Sequence, residues 1–91
     1  MRALTDSEIA KELAAVPAWH LHGKEIVREW TLPRFLDAIA FVSKVAVLAE
    51  KEDHHPDILI RYNKVQLRLS THDADGLSER DFRFAKLSDS L

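Results

Sequence analysis

The pattern of apolar and polar positions in the first part of the chain predicts a short helix followed by a hairpin. The helix is predicted from about Asp6 to Ala15, because Thr5 and Glu8 have the spacing of a capping box. Pro17 cannot continue a helix and ends it. Two short extended runs then lie on either side of Gly23, and this arrangement predicts a hairpin.

A long amphipathic helix is predicted next, from about Pro33 to Asp53, with Thr31 as its N-cap. Pro56 stops it, because the residue before a proline avoids helical geometry. Its apolar positions cover a wide arc: Phe35, Leu36, Ile39, Phe41, Val42, Val45, Ala46, Val47, Leu48 and Ala49. An arc this wide indicates contact on two sides, either with the sheet and a second subunit or deep within a single domain. So short a chain favours self-association.

The second hairpin can be registered from the sequence. Two alternating runs, Asp57–Tyr62 and Lys64–Thr71, flank a plausible two-residue turn at Asn63 and Lys64. Counting outward pairs residues that share one apolar face: Tyr62 with Val65, Ile60 with Leu67, and Ile58 with Leu69. Continued past the strand ends, the same count brings His55 opposite His72.

A last helix is predicted after Ser78, with Asp81 in the capping-box position. The element order is therefore helix, hairpin, long helix, hairpin, helix. Two hairpins predict a four-stranded antiparallel sheet with the three helices on one face, which is an α+β fold. The length predicts one domain over residues 1–91.

Composition narrows the function classes. Apolar residues are 46% of the chain, charged residues 31%, and the formal net charge is −2, so no basic field favours nucleic acid. There is no cysteine, which excludes disulfides, thiolate nucleophiles and cysteine-based zinc sites. The acidic N-terminal stretch does not resemble a signal peptide, and Ala38–Ala49 is too short to span a bilayer. We expect a cytoplasmic protein that binds neither membrane nor nucleic acid.

Three histidines are predicted to lie close together: His55 and His72 by hairpin register, and His54 at the end of the long helix. Such a cluster suits acid/base catalysis near neutral pH or metal binding, and solvated histidines capping a helix and a strand are the structural alternative. The helix C-terminus favours a protonated His54, which helps an acid and hinders a ligand. Nearby carboxylates could complete a metal site: Glu50, Glu52 and Asp53.

The spacing around these histidines resembles the signature of the pterin-4a-carbinolamine dehydratase family, also called the dimerisation cofactor of a homeodomain transcription factor. Seven positions match over 32 residues: Glu50, His54, His55, Pro56, Tyr62, His72 and Asp81. Three longer stretches are also similar: residues 62–65, 69–72 and 76–81. The resemblance extends over nearly the whole chain, including Trp19, although the end at Leu91 implies a last helix that lacks a turn.

The resemblance implies dehydration of a 4a-hydroxytetrahydropterin to a quinonoid dihydropterin, without metal or other cofactor. The hydroxyl needs a proton to leave as water, and the N5 hydrogen must be removed, so one acid and one base suffice. By the same resemblance His54 and His72 are the proton-transfer candidates and His55 binds the pterin. Which histidine is the acid stays open.

Two carboxylates of the signature have alternative roles. Glu50 either orients a histidine or is an exposed helix charge. Asp81 either polarises His72, contacts the pterin, or simply caps the helix with Ser78. Both belong to the predicted substrate-binding set.

The aromatic residues and the remaining histidines are expected mainly in the core or at the surface. Tyr62 lies on the core face in the counted register, so packing is favoured over catalysis. Trp19 could stack on the pterin, although a tryptophan in a small domain is usually part of the core. His20 and His22 flank the first turn and are expected at the surface.

Partners follow from the same resemblance. It implies a pterin substrate, a functional link to an aromatic amino acid hydroxylase, and a homodimer or homotetramer. Two other functions remain open at this point: a dimeric interaction module that stabilises another protein's dimer, and a pterin-linked enzyme of molybdopterin metabolism.

Overall fold

A computed structural model describes residues 2–91 of the chain. It contains three helices and four strands, in the order α1 (Asp6–Ala14), β1 (His20–His22), β2 (Glu25–Thr31), α2 (Phe35–Glu52), β3 (Asp57–Arg61), β4 (Lys64–Leu69) and α3 (Glu79–Asp89). The strands form one antiparallel sheet in the order β1-β2-β4-β3. The predicted α+β fold, with the helices on one face of a four-stranded sheet, is confirmed.

Both predicted capping boxes are present. The Thr5 hydroxyl accepts from the Glu8 backbone N–H, and the Glu8 carboxylate accepts from the Thr5 backbone N–H at 2.9 Å. At the start of α3 the Asp81 carboxylate accepts from the Ser78 backbone N–H at 2.9 Å, and the Ser78 hydroxyl accepts from the Arg80 backbone N–H at 3.2 Å. The first hairpin turns at Gly23, whose φ of 62° lies in the left-handed region that glycine adopts without strain.

The start of α2 differs from the prediction. Thr31 is the last residue of β2, and the N-cap is Arg34, which makes no capping hydrogen bond with its side chain. Four residues of α2 face the core: Ala38, Phe41, Val45 and Ala49. Several large apolar side chains of the same helix remain exposed: Phe35, Leu36, Ile39 and Val47. The wide apolar arc thus divides into a core face and an exposed face.

The predicted register of the second hairpin is wrong by two residues. The observed pairs include Ile58 with Leu67 and Ile60 with Val65, so the turn residues are Tyr62 and Asn63. A two-residue shift leaves each side chain on its predicted face. It moves Tyr62 out of the strand into a left-handed turn (φ 56°), where it is 69% exposed and does not pack in the core.

Asn63 explains the shifted turn. Its side-chain amide donates to the Leu32 carbonyl at 2.9 Å, and its own carbonyl accepts from the Leu32 N–H at 2.8 Å. These two bonds tie the turn to the β2–α2 connection. Because they join residues far apart in sequence, hairpin propensity alone could not reveal them.

The core lies between the sheet and the helices, and Trp19 belongs to it at 3% exposure. Its indole N–H donates to Asp89 at 2.8 Å, near the end of α3. The same carboxylate oxygen accepts from Arg28, whose guanidinium lies 4.3 Å from the centre of the Trp30 ring. This cluster ties α3 to the sheet. Within residues 2–91, no helix has the length and apolarity needed to cross a membrane.

Candidate active site

An open cleft of about 240 Å³ lies where α2 and β4 end and α3 begins. Residues 53–55 follow α2, residues 70–73 follow β4, and Arg80 is in the first turn of α3. The side chains that line the cleft are polar: Asp53, His54, His55, Ser70, Thr71, His72, Asp73 and Arg80. The fold therefore places all three predicted histidines around one cavity.

His54 is the buried member of the trio, at 9% exposure. Its Nε2 lies 2.6 Å from Oδ1 of Asp81, a carboxylate with no exposed surface. The ring also lies edge-on to Phe84. A buried hydrogen bond between ring and carboxylate fixes the orientation of the imidazole.

The second oxygen of Asp81 is fully engaged. Oδ2 accepts from the Thr71 hydroxyl at 2.8 Å and from the Ser78 backbone N–H at 2.9 Å. The Thr71 and Ser78 hydroxyls lie 2.6 Å apart, and Ser78 accepts from the Arg80 N–H. Since Thr71 gives its only proton to Asp81, Ser78 must donate to Thr71. Each side-chain oxygen of Asp81, Thr71 and Ser78 therefore has a hydrogen-bond partner.

The network assigns the His54 tautomer. An ionised carboxylate only accepts hydrogen bonds, so Nε2 carries the proton that faces Asp81. Among the hydrogen bonds of residues 2–91, none uses Nδ1 of His54. In that part of the chain no fully buried side-chain nitrogen lacks a partner, so Nδ1 must reach solvent. Because His54 lines the cleft, Nδ1 is the nitrogen available to a bound molecule.

His55 and His72 are exposed members of the cleft wall. His55 Nε2 lies 3.5 Å from the Glu50 carboxylate, and both side chains are more than half exposed, so this contact contributes little to stability. His72 begins a short 3-10 turn, His72–Ala74. The observed register puts Ser70, not His72, level with His55, but the turn brings His72 back to the same cleft.

The end of α2 is held by two arginines of α3. Arg80 Nη2 donates to the backbone carbonyls of Glu52 and Asp53, at 3.4 and 2.5 Å. Arg83 bonds the Glu52 carboxylate at 2.5 Å. This hydrogen bond and the guanidinium charge lower the pKa of Glu52. The helix that carries Asp81 and the helix that leads into His54 are thus joined directly.

The remaining predicted site residues fall in different places. Asp81 both caps α3 and bonds His54 rather than His72. Trp19 is absent from the cleft lining and is enclosed in the core, so its ring has no free face for stacking on a ligand in this conformation. His20 and His22 are exposed on β1, as expected.

Sequence reasoning did not assign roles to Thr71 and Arg80. Arg80 contacts the end of α2, which is distant along the chain, and Thr71 contacts Ser78 and Asp81 across the turn after β4. Both residues lie within the stretches 69–72 and 76–81 that resemble the family, but their types and positions alone predict neither contact. The capping box did carry one signal, because it predicts that the Asp81 carboxylate is fixed at the start of α3.

Two other features bear on where the chemistry lies. A larger groove of about 580 Å³ lies between α1 and α3, but its lining is mostly charged side chains, of which Lys86 pairs with Glu12. It contains no imidazole. Within residues 2–91, no group of three or more histidine, aspartate or glutamate side chains is arranged to hold a metal ion. The smaller cleft is therefore the candidate site.

Comparison with known proteins identifies the family of this chain. The family model for pterin 4 alpha carbinolamine dehydratase matches residues 2–91. A Chloroflexus aurantiacus protein provisionally named pterin-4-alpha-carbinolamine dehydratase is 54% identical over 91 residues, covering 100% of this chain and 98% of its own. A relative from Acidobacterium capsulatum with the same provisional name is 50% identical, covering 100% and 99%.

Solved structures give the same result. A Brucella melitensis protein described as a transcriptional coactivator/pterin dehydratase superposes with a TM-score of 0.92 at 34% identity, covering 98% of this chain and 97% of its own. A pterin dehydratase-like protein described as a RuBisCO assembly factor shares the fold, with a TM-score of 0.70 at 22% identity and coverage of 80% and 87%. The chain belongs to the pterin-4-alpha-carbinolamine dehydratase family.

Proposed function

We propose that this protein dehydrates a 4a-hydroxytetrahydropterin to a quinonoid dihydropterin in tetrahydrobiopterin recycling, downstream of an aromatic amino acid hydroxylase. In this reaction the C4a–O bond breaks and the hydroxyl leaves with a proton as water. The N5–H bond also breaks, and its electron pair forms the C4a=N5 double bond. The reaction is redox-neutral, so an acid and a base are sufficient.

His54 and His72 carry the two proton transfers, and His55 holds the pterin at the cleft rim. The single observation that supports this assignment best is the Asp81–His54 pair, which leaves Nδ1 of a fixed imidazole accessible to the cleft. An aspartate that accepts from the far ring nitrogen stabilises the imidazolium formed when the near nitrogen takes a proton. His72 approaches from a different segment and supplies the second group.

The cleft is suited to a small flat ring. Its volume of about 240 Å³ is below the range of about 300–1,000 Å³ for drug-sized ligands. It is open to solvent, so released water can leave without a lid movement. Its polar lining can bond the heteroatoms of a pterin.

Single alanine variants test the assignment. His54→Ala and His72→Ala should each lower kcat by about 10²–10⁴-fold, the usual contribution of one general acid or base. His55→Ala should instead raise KM with a smaller change in kcat. His20→Ala is the matched control, because this exposed histidine lies on β1 away from the cleft. Full activity of both His54→Ala and His72→Ala, with normal folding, would end the proposed mechanism.

A second proposed role is self-association through α2. The exposed apolar side chains of this helix include Leu36 at 69% and Val47 at 70% exposure. Large exposed apolar patches mark interaction surfaces more often than isolated residues do. A homodimer or homotetramer would cover this face, and the same face would serve an interaction module. The coactivator description of the Brucella melitensis neighbour is consistent with such a role.

A further inference from the structure

The backbone that leads into His54 passes through a left-handed turn. Asp53 has φ 50° and ψ 43°, a region that glycine adopts freely and that asparagine and aspartate adopt only occasionally. The turn is closed by the His54 N–H, which donates to the Ala49 carbonyl at 3.1 Å. The direction in which His54 leaves the helix therefore depends on this left-handed conformation of Asp53.

Arg80 holds this turn from outside. Its Nη2 donates to the Glu52 and Asp53 carbonyls, which are among the last carbonyls of α2 and have no partner within the helix. A cation at a helix C-terminus is also favoured by the helix dipole. Both bonds come from one nitrogen, whose two N–H groups can each donate to one carbonyl.

The residue after Arg80 holds the ring of the same histidine. Asp81 bonds His54 Nε2 at 2.6 Å while Arg80 bonds the carbonyl that precedes His54 at 2.5 Å. The first turn of α3 therefore contacts His54 in two places: Asp81 bonds its ring, and Arg80 bonds the backbone carbonyl just before it. Loss of the backbone contact would free this turn and would shift the ring relative to Asp81.

We infer that Arg80 is a positioning residue that fixes the left-handed turn at Asp53 and thereby sets His54 against Asp81. Two other roles compete with this one. Arg80 lines the cleft, so it could contact the substrate instead. It could also act as a general tie between α2 and α3, as Arg83 does through the Glu52 carboxylate.

A double-mutant cycle separates these roles. The variants are Arg80→Ala, Asp53→Gly and the double variant, because glycine adopts the left-handed turn without the help of Arg80. Positioning predicts that Arg80→Ala lowers kcat by about 10–100-fold, since a displacement of about 1 Å can cost about 10²-fold. When Asp53→Gly is already present, the same substitution should lower kcat less than about threefold. KM should change little in either background.

Arg83→Ala is the control, because it removes an α2–α3 contact without touching the turn. It should leave kcat unchanged. An equal loss of kcat with and without Asp53→Gly, a loss mainly in KM, or a similar loss on Arg83→Ala would each overturn the positioning role. Circular dichroism of every variant at the assay temperature shows which of them are folded.

The kcat and KM measurements rest on the proposed function, whereas an NMR measurement of His54 does not. The ring ¹⁵N and Nε2–H signals of His54 report the bond to Asp81 directly by NMR. Arg80→Ala should weaken or lose the Nε2–H signal, and adding Asp53→Gly should restore it. If the wild type shows no dehydration, the proposed function fails while this NMR measurement still decides the role of Arg80. An unchanged Nε2–H signal in Arg80→Ala would refute it.

Discussion

Replacing Asp81 with asparagine tests the chemistry of the cleft with a change of only one atom type. Oδ2 accepts from the Ser78 backbone N–H, so the asparagine oxygen must take this position. The new amide NH₂ then faces His54 Nε2, where the carboxylate oxygen accepted before. Because an amide NH₂ donates, Nε2 must become the acceptor, and the neutral ring moves its proton to Nδ1.

The magnitude follows from this inverted bond. To act as a base, the variant ring must return to the original tautomer and leave a buried donor unpaired, which costs about 1–3 kcal/mol. To act as an acid, the His54 ring of the variant must carry a second proton on Nε2, where it would face the N–H donors of the asparagine amide. Either route lowers kcat by about 10–100-fold, since about 1.4 kcal/mol corresponds to about tenfold. The unfolding free energy should fall by about 1–3 kcal/mol, because a charge-assisted buried bond is lost.

Steady-state kinetics, thermal unfolding and the ring ¹⁵N shifts of His54 measure these effects together. Asp89→Asn is the matched control, because Asp89 is also on α3 and also accepts from an aromatic ring N–H, that of Trp19, away from the cleft. It should lower stability and leave kcat unchanged. A kcat for Asp81→Asn within about twofold of wild type, together with a shifted tautomer, would refute the role of His54 as a proton-transfer group.

Three other substitutions test separate parts of the structure. Arg2 lowers the pKa of Glu8 from 4.5 to about 2. The contribution of Glu8 to stability is therefore complete above pH 4.5 and is lost as the pH falls toward about 2. Amide exchange in α1 should show this pH dependence, and Glu8→Gln should abolish it. Tyr62→Asn should raise the unfolding free energy by up to about 1 kcal/mol in thermal unfolding, because asparagine tolerates the left-handed turn better than an exposed tyrosine. A fall in the unfolding free energy would show that the Tyr62 ring makes stabilising packing contacts. Val47→Asp should raise the dissociation constant of any α2-mediated oligomer at least about tenfold in sizing chromatography, because it places a charge in a buried apolar contact. An unchanged oligomer would show that this face of α2 is not the interface.

Much of the fold could be predicted because its signals are local. Thr5 with Glu8 and Ser78 with Asp81 fix helix starts through bonds three residues apart, and Gly23 marks the first turn. The start of α2 was misplaced because Thr31 remains paired in β2, and tertiary pairing overrides capping preference. The second turn was misplaced because Asn63 bonds Leu32, a contact that no local pattern contains.

The candidate site was predicted as a cluster but not as a network. Hairpin counting brought the histidines to one end of the sheet even with a register error of two residues, because such an error does not change the face. The partner of Asp81 could not be predicted, since it depends on how α3 packs against the end of α2. Arg80 acts through contacts that exist only after this packing, and Thr71 acts through contacts that form when the start of α3 lies against the segment after β4.

The rate of quinonoid dihydropterin formation from an enzymatically made 4a-carbinolamine, followed by stopped-flow absorbance, tests the central claim most directly. We expect the wild-type protein to accelerate this step, and a folded variant with both His54→Ala and His72→Ala to return to the uncatalysed rate. Formation at the uncatalysed rate with wild-type protein, or undiminished acceleration by the double variant, would contradict this claim.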